Sequence, residues 1–401
     1  MSQFFFAGQT SWLPLVLVSG GLLVLVTYEC WSRAKKFYPI ANISGPKSDS
    51  WWYGCCADFG ENIFKWQAEF GAVYQYKACI GDHRIVIADP RAIDYVHKNV
   101  HSFPRSAKFR AFIRLFISNG PGMSWVEGDD HRRQRSVLNP PFSPSHIRDL
   151  FPKFLDKARE LVDKWQGIVK AAPEENGTEI EVTNWMQRAT LDVIGTAAFG
   201  VEFNTLHNQQ SEIALIFEKF IIVNAVAVDA VASARAALES GDKGGKEVKL
   251  EKPKLSPSEV YAQFGTFLLA GEDTTANALA WALVELCSIQ KFQTMMRDEI
   301  NKTYAAVHEQ GRLALHASDL DKMTFTQAFI KAQCCHFAGV RWRFALQEMQ
   351  VFLIEMVRKF RFSLPEGVRI EREMTLGSIP VVSGDPSREQ RLPLIIASVD
   401  E

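Results

Sequence analysis

The chain has 401 residues, of which 47% are hydrophobic and 23% are charged, and its formal net charge is -1. This charge balance gives no electrostatic case for a nucleic-acid partner, because such partners select basic surfaces. Seven cysteines, an odd number spread along a long chain, do not resemble a disulfide framework and favour a reducing compartment.

The N-terminal segment predicts a membrane anchor. Residues 2–28 contain no charged side chain, and residues 12–26 are almost wholly apolar. The run is just long enough to span a bilayer, and basic residues follow it at Arg33, Lys35 and Lys36. The pattern predicts a single-pass anchor over residues 1–30, with the following domain on the cytosolic side. An N-terminal core helix is the alternative interpretation.

The rest of the chain divides into a hinge and one large domain. Residues 31–54 are rich in turn-forming residues, and Pro39 and Pro46 prevent a helix there, so this segment predicts a stiff hinge or linker. Residues 55–401 carry helical and strand patterns and are predicted to form one large domain. Within it, residues 232–255 are rich in Lys, Gly, Ser and Glu and predict an exposed loop.

Periodicity predicts a mainly α fold with a small β component. Two alternating runs around Gly81 and Asp82 predict a β-hairpin, and residues 375–382 and 392–399 predict two short strands. Apolar residues at helical spacing predict three helices, over residues 147–165, 182–199 and 344–360.

A fourth helical pattern has an unusual centre. Ser256, Pro257 and Glu259 form a capping box with proline at the first helical position, and apolar spacing continues to about Ser288, which predicts one long rod. Its middle carries poor helix formers, among them Gly271, Asp273 and Thr274. A threonine hydroxyl there can bond to the carbonyl of Ala270 and bend the rod. A polar bulge at the surface is the alternative.

The stretch from Ala270 to Thr275 resembles the oxygen-activation pattern of the cytochrome P450 family, which is alanine or glycine, glycine, any residue, acid, threonine, threonine. The resemblance implies a P450-like fold with haem as the cofactor and Gly271 at the cofactor-binding surface. It also implies that the distorted helix opens a groove for dioxygen, where Asp273 and Thr274 relay protons to the iron-bound oxygen.

Residues 128–143 resemble the helix with which this family grips a haem propionate. His131 stands where the family usually has tryptophan, and Arg135 matches the family's arginine. Arg341 resembles a second arginine that meets a propionate. A guanidinium suits a carboxylate because its fork is planar and always charged. The alternative for this run is a solvated basic helix face.

The resemblance breaks after Lys331. Residues 323–331 look like the start of the family's helix with the Glu-x-x-Arg motif, but the next residues, 332–335, supply neither charged partner. The loop that should carry the axial cysteine reads HFAGVRWRFALQE and contains no cysteine, so the metal ligand is unknown. Cys335 is the nearest substitute, although a buried structural thiol is the default reading for such a residue.

The resemblance implies a monooxygenase of the endoplasmic reticulum membrane. It would take electrons from an NADPH-dependent reductase and oxidise a small lipophilic substrate, as enzymes of secondary metabolism do. Because the ligand loop and the Glu-x-x-Arg pair are missing, the fold is expected to be incomplete and the chain inactive as written. The alternative is a non-catalytic, membrane-anchored relative that binds lipids or partner proteins.

Overall fold

The computed structural model describes residues 24, 27–28, 31, 42–48, 50, 55, 59–78, 82–113, 120–171, 177–207, 255–334, 342–374 and 377–399. Two compact units divide the chain, Met1–Phe103 and Pro104–Glu401. The predicted anchor, residues 1–30, lies almost wholly outside the described residues, as does much of the predicted hinge. In the part of the chain that the structure describes, no helix is both long enough and apolar enough to cross a membrane.

The first unit is built around the predicted hairpin, which is confirmed. Its elements are α1 (Phe59–Phe70), β1 (Val73–Lys77), β2 (His83–Ile87), α2 (Pro90–Lys98) and a 3-10 turn (Val100–Ser102). The strands pair antiparallel, with Val73 opposite Ile87. A small core of Cys55, Tyr76 and Ala78 lies against the hairpin.

Helices form most of the second unit, and the three predicted amphipathic helices are confirmed. The helices are α3 (Ala107–Ile113), α4 (Gly128–Leu138), α5 (Pro144–Asp149), α6 (Phe151–Ala171), α7 (Val182–Ile194), α8 (Pro257–Gly271), α9 (Asp273–Ser288), α10 (Gln290–Glu309), α11 (Ala317–Leu320), α12 (Thr324–Cys334) and α13 (Trp342–Lys359). A 3-10 turn over Pro140–Phe142 precedes α5, and a π-helical turn over Gly195–Phe199 extends α7.

Two small antiparallel sheets complete this unit. Their strands are β3 (Thr178–Glu181), β4 (Phe360–Ser363), β5 (Ile370–Met374), β6 (Ser378–Val382) and β7 (Pro393–Ser398). The order β3-β7-β4 gives a three-stranded sheet, and β5 pairs with β6. The two strands predicted near the C-terminus are confirmed as β6 and β7, which belong to different sheets.

The core of the second unit lies between α6, α7, α9 and α13. The apolar stripe predicted over residues 147–165 is buried along its whole length, and Phe154, Leu161 and Trp165 are 0% exposed. α6 packs along α13, and α7 packs along α9. These contacts place the N-terminal half of α9 in the centre of the unit.

Candidate functional site

The apolar pattern of residues 257–288 folds as two helices, α8 and α9, that meet at Glu272. The backbone of Glu272 has φ -80° and ψ -74°, which departs from regular helix geometry. The Thr274 hydroxyl donates a hydrogen bond to the Ala270 carbonyl oxygen at 2.7 Å. A bond of this kind bends a helix, so the predicted weak point is confirmed. The prediction of one continuous rod is wrong, because the ladder breaks there.

The break lies against α7. A Cβ atom on Gly271 would lie 2.8 Å from Ile194 Cδ1, closer than side chains normally approach, so glycine allows the two helices to meet. The Thr190 hydroxyl lies 3.2 Å from the carbonyl oxygen of Glu272 and also lies within reach of carbonyls in its own helix. α7 therefore supports the distorted segment.

Two adjacent carboxyl groups lie in this break. Glu272 is only 7% exposed, and burial, with the neighbouring Asp273 charge second, raises its pKa well above the ordinary value. Burial also raises the pKa of Asp273, and hydrogen bonds to Gln187 and Glu272 oppose that rise. The Gln187 amide donates to Asp273 Oδ1 at 3.4 Å. Sequence reasoning identified Asp273 but assigned no role to Glu272 or Gln187.

Glu259 joins α4 to the start of α8. Its carboxylate accepts hydrogen bonds from the Arg133 guanidinium and, at 2.9 Å, from Gln134 Nε2. The same carboxylate accepts the Ser256 N-H at 2.7 Å, which completes the predicted capping box. The Arg133 hydrogen bond is the largest cause that lowers the pKa of Glu259 to about 2.

Gln134 extends this network into the core. It is 0% exposed, donates to the Pro121 carbonyl at 2.7 Å and accepts from Gln263 Nε2 at 2.8 Å. Gln263 Oε1 in turn accepts the Met123 N-H at 3.1 Å. Each polar group therefore has a partner, and α4 is fixed on α8. These residues were not predicted, since a glutamine on a charged helix carries no signal of burial.

His131 and Arg135 lie one turn apart on α4, and both are half-buried. Burial lowers the pKa of His131, and the positive charges of Arg135 and Arg105 lower it further, against the opposing effect of Glu127. Among the described residues, no carboxylate forms an ion pair with Arg135. Guanidinium groups suit anionic ligands, and the carboxylate-binding role of His131 and Arg135 stays a prediction.

The described contacts do not join the two halves of the predicted site directly. α4 reaches α8 through Gln134 and Glu259. Within the described part of the chain, no hydrogen bond or ion pair connects His131 or Arg135 to Asp273. Arg341 and Cys335 lie outside the described residues, so their predicted roles stay predictions.

Two free cysteines, Cys55 and Cys287, lie among the residues whose side chains the structure describes. Burial raises the pKa of Cys287, on α9, to about 12. Cys55 belongs to the other unit. Among the described residues, no group of three or more His, Cys, Asp or Glu side chains could hold a metal ion. His131 and Arg135 are of a type that suits the carboxylates of haem, and neither Cys55 nor Cys287 stands in the loop expected to carry its axial ligand.

α13, which follows the shortened loop, contains an unsatisfied acid. Glu348 is 0% exposed, and among the described residues neither of its carboxylate oxygens has a hydrogen-bond partner. Burial raises its pKa well above the ordinary value. The Nε2 atom of the adjacent Gln347 is also buried and finds no partner in the described part of the chain. Buried polar groups in folded proteins are nearly always paired, so these two side chains are exceptions to that rule.

Comparison with known proteins identifies one family. The sequence profile described as Cytochrome P450 matches residues 46–235 and 234–331, and the second match ends where the predicted resemblance breaks. Cytochrome P450 monooxygenase claU of Ampulloclitocybe clavipes is 30% identical over 318 residues, which cover 65% of this chain and 58% of that protein.

Other fungal relatives match to a similar extent. Cytochrome P450 monooxygenase claW of the same organism is 28% identical over 317 residues, with 65% of this chain and 58% of the relative covered. Cytochrome P450 monooxygenase 205 of Postia placenta is 29% identical over 327 residues, with 65% and 59% covered. The chain therefore spans less than two thirds of the length of these relatives.

Proposed function

This chain belongs to the cytochrome P450 family, and we propose that it is a shortened form of a haem monooxygenase that oxidises a small lipophilic substrate. The complete form uses O2 and electrons from an NADPH-dependent reductase. The family implies haem, which supplies the oxygen chemistry when bound, while the protein supplies orientation and electrostatics. Binding of haem by this chain is part of the proposal.

One observation supports the proposal most directly: a threonine and two acids lie together where the helix breaks between α8 and α9. A regular helix would keep its backbone bonds and expose its polar residues. Here Thr274 bonds to Ala270, while the acid Glu272 is buried beside Asp273 in the same break. Acids with raised pKa values cluster at sites of proton transfer, so the raised pKa values of Glu272 and Asp273 favour proton-transfer chemistry.

In this proposal, residues of α4 bind the anionic carboxylates of haem. Arg135 offers a guanidinium that no described carboxylate occupies, and His131 offers a neutral imidazole with one N-H donor. Together they would hold the carboxylates of the haem. Arg341 is proposed as a further contact.

The membrane location also belongs to the proposal. The apolar run over residues 12–26 and the basic residues that follow it support a single-pass anchor, with the catalytic domain on the cytosolic face of the endoplasmic reticulum. A lipophilic substrate and a membrane-bound reductase would both reach the enzyme from that surface.

A second candidate is a non-catalytic, membrane-anchored relative that binds lipids or partner proteins. The sequence favours it, because the loop between α12 and α13 contains no cysteine in the expected position. Under this alternative, α9 contributes only to the packing of the core.

The ferrous carbon monoxide difference spectrum tests the proposal. Membranes containing this chain, supplied with haem, are expected to show no thiolate-type Soret band. A chimera is expected to show the band once the corresponding segment of a fungal relative replaces residues 332–343. A chimera that folds but gives no band would favour the non-catalytic alternative. A band from the unaltered chain that Cys335→Ala removes and Cys287→Ala keeps would overturn the idea that the chain lacks its ligand.

A further inference from the structure

The turn that leads into α4, over residues 121–126, is held by side chains of two helices. Within the turn, the Trp125 and Val126 N-H groups donate to the Gly122 carbonyl oxygen at 2.9 and 3.0 Å. The Met123 N-H and the Pro121 carbonyl take no part in these bonds, and side chains of α8 and α4 bind them instead. Backbone groups withdrawn from water need such partners, so the two helices together determine where the turn lies.

The two glutamines that bind the turn form one directed chain of hydrogen bonds, the amide clamp. Gln263 Oε1 accepts the Met123 N-H at 3.1 Å, and Gln263 Nε2 donates to Gln134 Oε1 at 2.8 Å. Gln134 Nε2 in turn donates to the Pro121 carbonyl oxygen at 2.7 Å and to Glu259 Oε1 at 2.9 Å. A main-chain N-H can only donate and a carbonyl can only accept, so both ends of the chain require the same orientation of the two amides.

Gln134 also fixes how α4 is turned about its own axis. On a regular helix, His131 and Arg135 lie about 60° and about 100° to the same side of Gln134. Gln134 is 0% exposed and is bonded to Gln263 of α8. His131 and Arg135 are only half-buried. The bond into α8 therefore directs these two side chains to one shared face of α4.

The turn holds a charged side chain that affects His131. The Arg105 guanidinium donates to the Ser124 carbonyl oxygen, and the Arg105 N-H donates to Glu127 Oε1 at 2.7 Å. Burial, followed by the charges of Arg135 and Arg105, lowers the pKa of His131, and Glu127 opposes this effect. The surroundings of His131 therefore depend on where the amide clamp holds the turn.

We propose that Gln134 and Gln263 are positioning residues, which set the direction of His131 and Arg135 on α4 and hold the neighbouring turn beside them. Among the described residues, no side-chain hydrogen bond joins either glutamine to His131 or Arg135. The amide clamp therefore acts through the backbone of α4 and through the turn. The ligand of His131 and Arg135, the carboxylates of haem, rests on the proposed function, whereas the positioning of the two side chains does not.

Hydrogen exchange and nuclear magnetic resonance of the purified full chain, without haem, test the proposal. We expect Gln263→Leu to speed exchange of the Met123 amide by about tenfold relative to that of Leu283, a 0% exposed residue of α9. The same variant should raise the pKa of His131 towards its ordinary value of 6.5, because a loosened turn reduces both burial and the effect of the Arg105 charge. An unchanged Met123 exchange rate in folded Gln263→Leu would overturn the proposal.

Gln293→Leu is the matched control, because Gln293 of α10 is also buried and its side chain also bonds to main-chain groups. This variant should lower the stability of the chain as well, but it should leave the relative exchange rate of Met123 and the titration of His131 unchanged. Faster Met123 exchange in Gln263→Leu with an unchanged His131 titration would overturn the positioning role, as would an equal His131 shift in Gln293→Leu.

A second variant keeps the test open if Gln263→Leu does not fold. Gln263→Asn retains the amide, but its side chain is one methylene shorter and does not reach both Met123 and Gln134, so the same two changes are expected. Parent-like exchange and titration in this variant would contradict the proposal. The carbon monoxide spectrum is recorded separately, so a missing Soret band bears on the proposed function alone.

Discussion

Two buried glutamates of the second unit have opposite surroundings. Glu259, at the start of α8, is 8% exposed and accepts hydrogen bonds from Arg133, Gln134 and Ser256. Glu348, on α13, is 0% exposed and accepts no hydrogen bond from any described residue. The pKa of Glu259 is lowered to about 2, whereas that of Glu348 is raised. The same side chain is thus a structural anchor in one helix and an unsatisfied group in the other.

Glu259 and Glu348 also differ in whether the family profile covers them. The profile matches through residue 331, and within that range the α4-α8 network is complete. α13 begins at Trp342, after a connection too short to contain the family's ligand loop. Glu259 thus lies within the range that the family profile matches, and Glu348 lies beyond it.

The first way to test this comparison is to remove the satisfied acid. Glu259→Ala leaves buried Gln134 Nε2 and the Ser256 N-H without this acceptor, and it removes the link from Arg133 to α8, while the hydrogen bond from Gln263 to Gln134 still joins α4 and α8. We expect the free energy of unfolding to fall by about 2–4 kcal/mol, as for loss of a cap together with a buried polar partner. Urea unfolding measures it.

Glu285→Ala is the control for that variant, because Glu285 is an exposed acid on α9. Its effect should stay within about 0.5 kcal/mol. Equal losses of stability for Glu259→Ala and Glu285→Ala would mean that the α4-α8 network contributes nothing to stability. The contrast between Glu259 and Glu348 would then have no energetic basis.

The second test removes the unsatisfied acid. Glu348→Met keeps the volume and deletes a buried polar group without partners, so we expect the free energy of unfolding to rise by about 1–3 kcal/mol. Glu355→Met, two turns along the same helix, is the matched control. Glu355 is buried but accepts from the Tyr304 hydroxyl and lies 3.7 Å from Arg159 Nε, so its loss should destabilise.

The pH dependence of the Glu348 variant has a definite sign. The folded state keeps the Glu348 proton above the ordinary pKa of 4.5, whereas the unfolded state releases it. The parent therefore loses stability relative to Glu348→Met as the pH rises above 4.5, by about 1.4 kcal/mol per pH unit until the folded-state pKa is reached. Below pH 4.5 the difference should be smallest and constant. A difference that does not change between pH 4 and pH 8 would contradict a protonated Glu348.

Local patterns predicted more of this fold than of its site. The buried stripe over residues 147–165 and the hairpin follow from periodicity, which neighbouring residues determine. The pairing of β3 with β7 joins residues about 210 apart, so no local pattern carries it. The bond from Thr274 to Ala270 lies within one turn and was predicted. Gln187, by contrast, meets Asp273 from a different helix, and only the tertiary structure brings it there.

The smallest effect concerns two helical glycines. A Cβ on Gly167 of α6 would meet nothing within 4 Å, so Gly167→Ala should gain about 1 kcal/mol from helix propensity alone. The same change at Gly271 places the new atom 2.8 Å from Ile194 Cδ1 and 2.9 Å from Cγ1, and the clash should turn that gain into a loss of about 1 kcal/mol. Repeating Gly271→Ala in an Ile194→Ala background separates a clash with Ile194 from an effect on the backbone. These residues are in contact, so the effects of the two substitutions should not add. If the loss of stability comes from the clash with Ile194 of α7, Gly271→Ala should stabilise the protein in the Ile194→Ala background. If the loss persists, the backbone at the break beside Glu272 itself requires glycine.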